Sequence, residues 1–266
     1  MSDTWLALEE KTIVVTGGAS GIGKHIVQGL RRAGATVAVF DLSVQDGLDA
    51  ESGARTYTVD ITDPESVETA VARVCAEVGT VTTLVNNAGV NLPRLLVDVE
   101  GKEPQYELDV KAFDFMFAVN VRGAFLVAQA VARRLVKTGG TIINVTSEAG
   151  TEGSNGQSAY SASKAAMNGF TLSWAKELGP LGIRVVGVAP GILEPTGLRN
   201  PAYNEALAYT RGTTVDNLSP DYARVIPIGR PGRLDEIADL VCYLASDRAS
   251  YITGTTVTAT GGKSRG

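Results

Sequence analysis

The chain has 266 residues, 44% of them hydrophobic and 20% charged, which suits a globular protein with a real core and argues against a disordered or fibrous one. Its formal net charge of −5, without any dense Lys/Arg cluster, argues against a nucleic-acid partner.

In chain order, the N-terminal MSDTWLALEEK places acidic residues where a leader peptide needs a basic start and an apolar run. No segment reads as a membrane span, so the expectation is a cytoplasmic protein with no membrane partner. Seven short apolar runs follow: KTIVVTG, ATVAVFD, ARTYTVD, TTLVNNAG, GTIINVTS, GIRVVGVAPG and TTVTATGG. Most are followed by ten or more residues with helical spacing, and the runs are too uniformly apolar to have a wet side. The pattern predicts an α/β fold: one Rossmann-type, doubly wound parallel sheet of about seven strands with helices on both faces, spanning residues 1–266 as a single domain.

The first run ends in TGGASGIGKHIVQGL, a strand-to-helix turn carrying Gly17, Gly21 and Gly23. Such a turn is either plain or a cradle in which backbone N–H groups and a helix N-terminus approach a pyrophosphate. The position after the first strand, with Asp41 closing the second, favours the cradle. Asp41 can accept hydrogen bonds from both adenosine ribose hydroxyls and would repel a 2′-phosphate, and neither Ser20 nor Leu42 supplies a countercharge. The expected cofactor is therefore NAD rather than NADP, with Asp41 as a simple turn former the duller reading.

His25 is the only histidine, which makes multi-histidine metal sites and a Ser/His/Asp triad improbable; no metal site is expected. Cys75 and Cys242 fall in helical segments and read as buried reduced thiols. Two insertions break the strand–helix rhythm, residues 91–112 and about 193–226. The second carries Pro195, Pro201 and Pro220, is closed by Pro227, and reads as a substrate lid.

In AYSASKAAM, Tyr160 and Lys164 stand four apart and share a helix face. Chance alone supplies about 0.24 such pairs in a chain with eight tyrosines and eight lysines, so the pair by itself is a poor motif. Its energetics are workable. Bringing a phenol from about 10 to about 7 takes roughly 4 kcal/mol, and an ammonium at about 4–5 Å offers most of that. The expectation is that Lys164, with an oxidised nicotinamide, lowers the Tyr160 pKa toward neutrality.

Taken together, TGGASGIG, the NNAG of residues 86–89, Asn120, Ser147 in NVTSEAG and the Tyr160/Lys164 pair resemble the short-chain dehydrogenase/reductase family, in order and over nearly the whole chain. The resemblance implies that Tyr160 is the acid/base. Lys164 lowers its pKa and binds the nicotinamide ribose, Ser147 holds the substrate oxygen, and Asn120 orders a proton-relay water. It further implies NAD contacts from Gly17, Ser20, Gly21, Ile22, Gly23, Asp41, Asp60, Ile61, Asn87, Ala88, Gly89, Tyr160, Lys164, Pro190, Gly191 and Ile192. Thr196 lies one residue farther from Pro190 than is usual, which leaves its contact with the carboxamide open.

Glu148, Glu152, Asn155 and Gln157 beside the expected catalytic residues favour a polyhydroxylated substrate over a lipid. Arg94, Arg199 and Arg211 are the candidate phosphate ligands. GVNLPRLLVD, YTRGTT and the terminal GGKSRG extend the likeness to the dehydrogenases of polyol phosphates within that family. This implies a phosphorylated polyol or ketose as substrate, Arg94, Ser147, Glu148, Gln157, Arg199 and Arg211 as its binding residues, and a homotetramer joined through helices near 113–137 and 158–178. An unphosphorylated polyol or sugar, or a cofactor-binding regulator without turnover, are the alternatives.

Overall fold

A computed structural model describes residues 5–197, 199–218 and 221–263. Pro220, the last three residues of GGKSRG and the first four of the N-terminal segment lie outside the described residues. The chain runs β1 (Thr12–Thr16), α1 (Gly21–Arg32), β2 (Thr36–Asp41), β3 (Gly47–Leu48), β4 (Arg55–Thr58), α2 (Pro64–Glu77), β5 (Thr83–Asn86), α3 (Val110–Phe117) and α4 (Ala124–Leu135). It continues through β6 (Gly140–Val145), α5 (Ala149–Glu152), α6 (Ser158–Leu178), β7 (Ile183–Pro190), α7 (Pro201–Thr210), α8 (Tyr222–Val225), α9 (Leu234–Ala245) and β8 (Thr255–Ala259).

The sheet has eight strands in the order β3-β4-β2-β1-β5-β6-β7-β8. Seven are parallel and match the seven apolar runs. The eighth, the two-residue β3, pairs antiparallel with β4 at the edge and is too short to leave a periodic signal. The strand order reverses across β1 and β5, so the loops after these strands diverge and open a crevice at their carboxyl ends.

Alternation within the strands divides the core. Ile13 and Val15 of β1, Val37 and Val39 of β2 and Val186 and Val188 of β7 pack under α1 and α9. Val14, Phe40, Leu84, Ile142 and Val185 face α2, α4 and the C-terminal half of α6. Both faces are dry, as the uniformly apolar strands require. His25 is spent between α1 and α9, where its Nδ1 lies 2.9 Å from Asp235 Oδ1. Cys242 is buried, and burial pushes its thiol up to about 12. Cys75 is only half-buried, because α2 turns its side chain toward the edge of the core rather than into it.

One expectation needs correction. Residues Val110–Leu135 form a continuous helix, α3 and α4 joined by a π-helical turn at Ala118–Gly123, that is long and apolar enough to cross a bilayer. Lys111, Asp114 and Arg122 interrupt the apolar run in sequence and hide its length. Met116, Asn120, Gly123, Val127, Val131 and Leu135 face inward, so the helix serves as a core helix of the fold. Phe115, Phe125 and, on α6, Leu172 remain exposed.

A buried polar chain ties the centre of the sheet to α6. Asn86 Nδ2 donates to Asn144 Oδ1 at 3.1 Å, and Asn144 Nδ2 donates to the Thr171 hydroxyl at 3.0 Å. Asn144→Ala leaves Asn86 Nδ2 with only its 3.4 Å contact to the Ala124 carbonyl and Thr171 with only its bond to the Met167 carbonyl, and is expected to cost about 1–3 kcal/mol, read as a lower urea midpoint at unchanged m-value.

Candidate active site

Two cavities of about 480 Å³ each open at the carboxyl ends of the strands and meet at Ile22 and Thr196, which line both. The first is built on the turn between β1 and α1. Two features of that turn are dictated by space. Gly17 sits at φ +65°, and a Cβ on it would lie 2.8 Å from Ala88 Cα; a Cβ on Gly23 would lie 2.0 Å from the Gly17 carbonyl oxygen. The loop after β5 locks this turn. Asn87 Nδ2 donates to the Thr16 and Gly17 carbonyls at 3.0 Å each, and the Thr16 hydroxyl accepts from the Asn87 and Ala88 N–H groups, also at 3.0 Å.

The helix N-terminus beyond is prepared for an anion. Helices α2, α3 and α7 are closed by the side chains of Asp63, Asp109 and Asn200, whereas Ser20 makes no such bond on α1 and no acid stands in its first turn. Its first N–H groups therefore remain available at the cavity floor. Gly17, Ser20, Gly21, Ile22, Gly23, Asp41, Asp60, Ile61, Asn87, Ala88 and Gly89 all line this first cavity, joined by Val59, Thr62 and Gly197. Asp41 combines both readings made from sequence. Its Oδ1 accepts from Ser43 N–H and Oγ at 2.9 and 2.7 Å, a turn-forming role. Its Oδ2 accepts from Ala19 N–H at 3.1 Å, which aims the carboxylate at the glycine turn. A dinucleotide with its pyrophosphate at α1 fits these residues.

The second cavity holds Ser147, Glu148, Gln157, Tyr160, Pro190, Gly191, Ile192, Arg199 and Arg211. Ser147 follows β6 and Tyr160 opens α6, so two separate elements bring the hydroxyls together; the Ser147 hydroxyl contact favours the ionised phenol. Burial outweighs it and pushes Tyr160 up to about 12, with the Glu148 carboxylate adding to the rise. The expected lowering of Tyr160 joined Lys164 to the charge of an oxidised nicotinamide; the protein's own groups alone hold the phenol high. The Lys164 Nζ lies 5.9 Å from the centre of the Tyr160 ring, and donates to the Val145 carbonyl at 2.9 Å. Burial lowers Lys164 itself to about 8. The protein's own charges therefore leave the pair as phenol and ammonium at pH 7.

Asn120 lies on the π-helical turn, lining neither cavity. Its Nδ2 donates to the Val90 carbonyl at 2.9 Å and to Ser163 Oγ at 3.0 Å, while Val90 N–H donates to its Oδ1 at 2.7 Å. The side chain thus pins the loop after β5 to α6 beside Gly89, where Lys164 Nζ also arrives.

Among the candidate phosphate ligands, Arg199 and Arg211 enter the cavity from either end of α7. Arg94 does not line it: its Nη1 donates to the Pro93 carbonyl at 2.7 Å and its guanidinium lies 5.6 Å from the centre of the Tyr106 ring. Stacking on that ring holds it within the 91–112 insertion. The Gln157 amide nitrogen is committed to Tyr203, at 3.1 Å. Tyr203, Asn91 and Lys263 also line the cavity and were missed in the sequence, because nothing in their local pattern distinguishes them from loop or helix-surface residues. Lys263, from the segment after β8, donates to Glu148 Oε1 at 2.8 Å and lies 3.6 Å from Glu152.

A family model of short chain dehydrogenases matches residues 11–206. The chain belongs to the short-chain dehydrogenase family. It is 52% identical to the sorbitol-6-phosphate 2-dehydrogenase of Klebsiella pneumoniae, over 99% of this chain and 100% of that one. Its fold superposes on the aldohexose dehydrogenase of Thermoplasma acidophilum with a TM-score of 0.82 at 27% identity, covering 98% and 97% of the two chains. It superposes on a 3-ketoacyl-(acyl-carrier-protein) reductase of Brucella melitensis in complex with NADH with a TM-score of 0.79 at 27% identity, covering 97% and 100%. The chain is accordingly an oxidoreductase, and a nicotinamide dinucleotide is the cofactor its first cavity fits.

Because no rotamer relieves a backbone clash, Gly23→Ala should abolish dinucleotide binding, with the loss of NADH fluorescence enhancement on titration as the readout.

Proposed function

We propose that this enzyme interconverts D-sorbitol 6-phosphate and D-fructose 6-phosphate with NAD, using Tyr160 as general acid/base. The observation that carries the substrate class is the arrival of Arg199 and Arg211 in the cavity that contains Ser147 and Tyr160. Burial, with the Arg199 charge adding to it, lowers the Arg211 pKa, so two guanidiniums share one cavity at a cost that a dianion would relieve. The 52% identity to a sorbitol-6-phosphate 2-dehydrogenase, extending over the insertions, supports the same reading. Asp41 supports NAD over NADP, since its carboxylate already faces the glycine turn and, among the described residues, its hydrogen-bond partners are Ala19 and Ser43 rather than a cation.

Bound NAD would supply the hydride acceptor and, in oxidised form, a positive charge. Ser147 holds the oxygen of the C2 hydroxyl, and Tyr160 as phenolate takes its proton while the hydrogen on C2 leaves as hydride, giving the ketone. Lys164 keeps an ammonium under the Tyr160 ring, and Asn120 fixes the adjoining backbone on which a proton path to solvent depends. In the reverse direction the Tyr160 phenol donates its proton to the ketone oxygen. The segment 193–226 serves as the lid, and the exposed Phe115, Phe125 and Leu172 support assembly as a homotetramer through α3, α4 and α6.

The sign of the pH dependence follows from Tyr160 being held high. Oxidation uses its ionised form, so kcat/KM for the polyol phosphate should climb with pH through and above neutrality, while kcat/KM for ketose reduction falls. Lys164→Met removes a charge present below about pH 8 and should depress the oxidation rate chiefly below that pH; initial rates in both directions across pH 6–10 check it. Tyr160→Phe should lose on the order of a thousandfold in turnover.

Arg199→Met and Arg211→Met should each raise KM for D-sorbitol 6-phosphate about tenfold or more while leaving NAD binding intact. A wild-type preference for free D-sorbitol over its 6-phosphate in kcat/KM would overturn the substrate assignment. Asp41→Ala with Leu42→Arg should shift selectivity toward NADP, read as the ratio of the two kcat/KM values.

A further inference from the structure

Tyr203 is the third residue of α7 and its ring packs on Leu207, Ala208 and Leu218 inside the 193–226 segment. Its hydroxyl leaves that segment and meets two amides from elsewhere in the chain. Asn91 Nδ2, from the loop after β5, lies 3.2 Å from Tyr203 Oη, and Gln157 Nε2, immediately before α6, lies 3.1 Å from it. Both nitrogens donate. A phenol oxygen has two acceptor positions and one proton to give, so two incoming N–H groups use its acceptor capacity and its own O–H must find an acceptor elsewhere.

The surroundings define what that acceptor is. Tyr203 lines the cavity together with Tyr160, Arg199 and Arg211. Burial raises the Tyr203 pKa and outweighs the opposing pull of the Arg199 and Arg211 charges, so the hydroxyl keeps its proton. A protonated donor in a cavity lined by two guanidiniums suits an anion, and with the amides placed as above nothing among the described residues accepts its proton. Asn91 Oδ1 is likewise buried without a partner among the described residues. Turning the Asn91 amide over would pass the Tyr203 proton to Oδ1 and put the spare Nδ2 donor in the buried position; the arrangement with both amide nitrogens toward Tyr203 is the one that leaves its O–H for a ligand.

We propose that Tyr203 is a specificity-determining residue of the substrate site, donating its phenol proton to the phosphate that Arg199 and Arg211 flank, with Asn91 and Gln157 orienting the hydroxyl. The inference rests on the phosphorylated-substrate reading and extends it. The same contact couples recognition to the lid: α7 carries the phenol, Asn120 and Val90 hold the loop that bears Asn91, and Gln157 stands three residues before Tyr160. Tyr203 thus joins α7 to the elements that carry the reacting groups.

The test is Tyr203→Phe, which keeps the ring and its packing and removes only the hydroxyl. With NAD saturating, kcat/KM for D-sorbitol 6-phosphate should fall about ten- to a hundredfold, mostly through KM, while kcat/KM for D-sorbitol changes less than about threefold. Competitive inhibition by inorganic phosphate should weaken in parallel and the NAD Kd should stay as in the wild type, while a lowered melting temperature reports separately the loss of the Asn91 and Gln157 hydrogen bonds. Equal losses on both substrates would mean that Tyr203 only latches the lid, and an unchanged KM for the 6-phosphate would mean that it touches no phosphate; either result overturns the proposal. A failure of the underlying reading is seen separately, in the wild type alone, as the absence of any preference for the 6-phosphate and of any inhibition by phosphate; that outcome removes the basis for the Tyr203 assignment as well.

Discussion

The architecture of the site depends on the seam between the carboxyl ends of β1 and β5. There the strand order reverses and two loops must part to admit a ligand, yet neither can be left loose without losing the geometry of the glycine turn. Thr16 and Asn87 resolve this by exchanging four short-range contacts, all at 3.0 Å, between one hydroxyl, one amide and the backbone of both loops. The side-chain nitrogen of Asn87 is taken up in holding the cradle. Gly17 and Gly23 are glycine because this seam is tight, with no room for a Cβ at either position.

From that seam the rest of the site is assembled by contacts between loops. Asn120 connects the continuation of the β5 loop to α6 through Val90 and Ser163, which sets the height of Lys164 and Tyr160 relative to the crevice. Glu148 is braced from the C-terminal side by Lys263, and α7 is braced from above by Tyr203 on Asn91 and Gln157. Tyr160 and Lys164 pay for this enclosure in opposite directions, the phenol raised and the ammonium lowered by the same loss of water. The pair is thereby poised so that a single additional positive charge acts on both at once.

Much of this was legible without coordinates. The parallel sheet followed from seven apolar runs whose residues have no polar alternation, and the glycine turn, Asp41, Ser147 and Tyr160 fall where strand ends place them on one rim of the sheet. What escaped has recognisable causes. The two-residue β3 is shorter than any period, and the helix Val110–Leu135 is disguised by charges on its exposed face. Arg94, equal to Arg199 and Arg211 as a loop arginine, is taken out of contention by the Tyr106 ring, a partner twelve residues away that no spacing rule nominates. Gln157 keeps its place in the cavity but has its amide nitrogen turned to Tyr203.

The sequence by itself determined the fold, the glycine turn and the candidate reacting side chains, because these depend on residue type and local order along each strand and helix. Tertiary structure decided the electrostatics and the specificity. Whether Lys164 sits beside the Tyr160 hydroxyl or under its ring, which arginines share a cavity, and which groups meet the Tyr203 hydroxyl are all set by distances between segments far apart in the chain. Burial and pairing are properties of those distances, and no local pattern carries them.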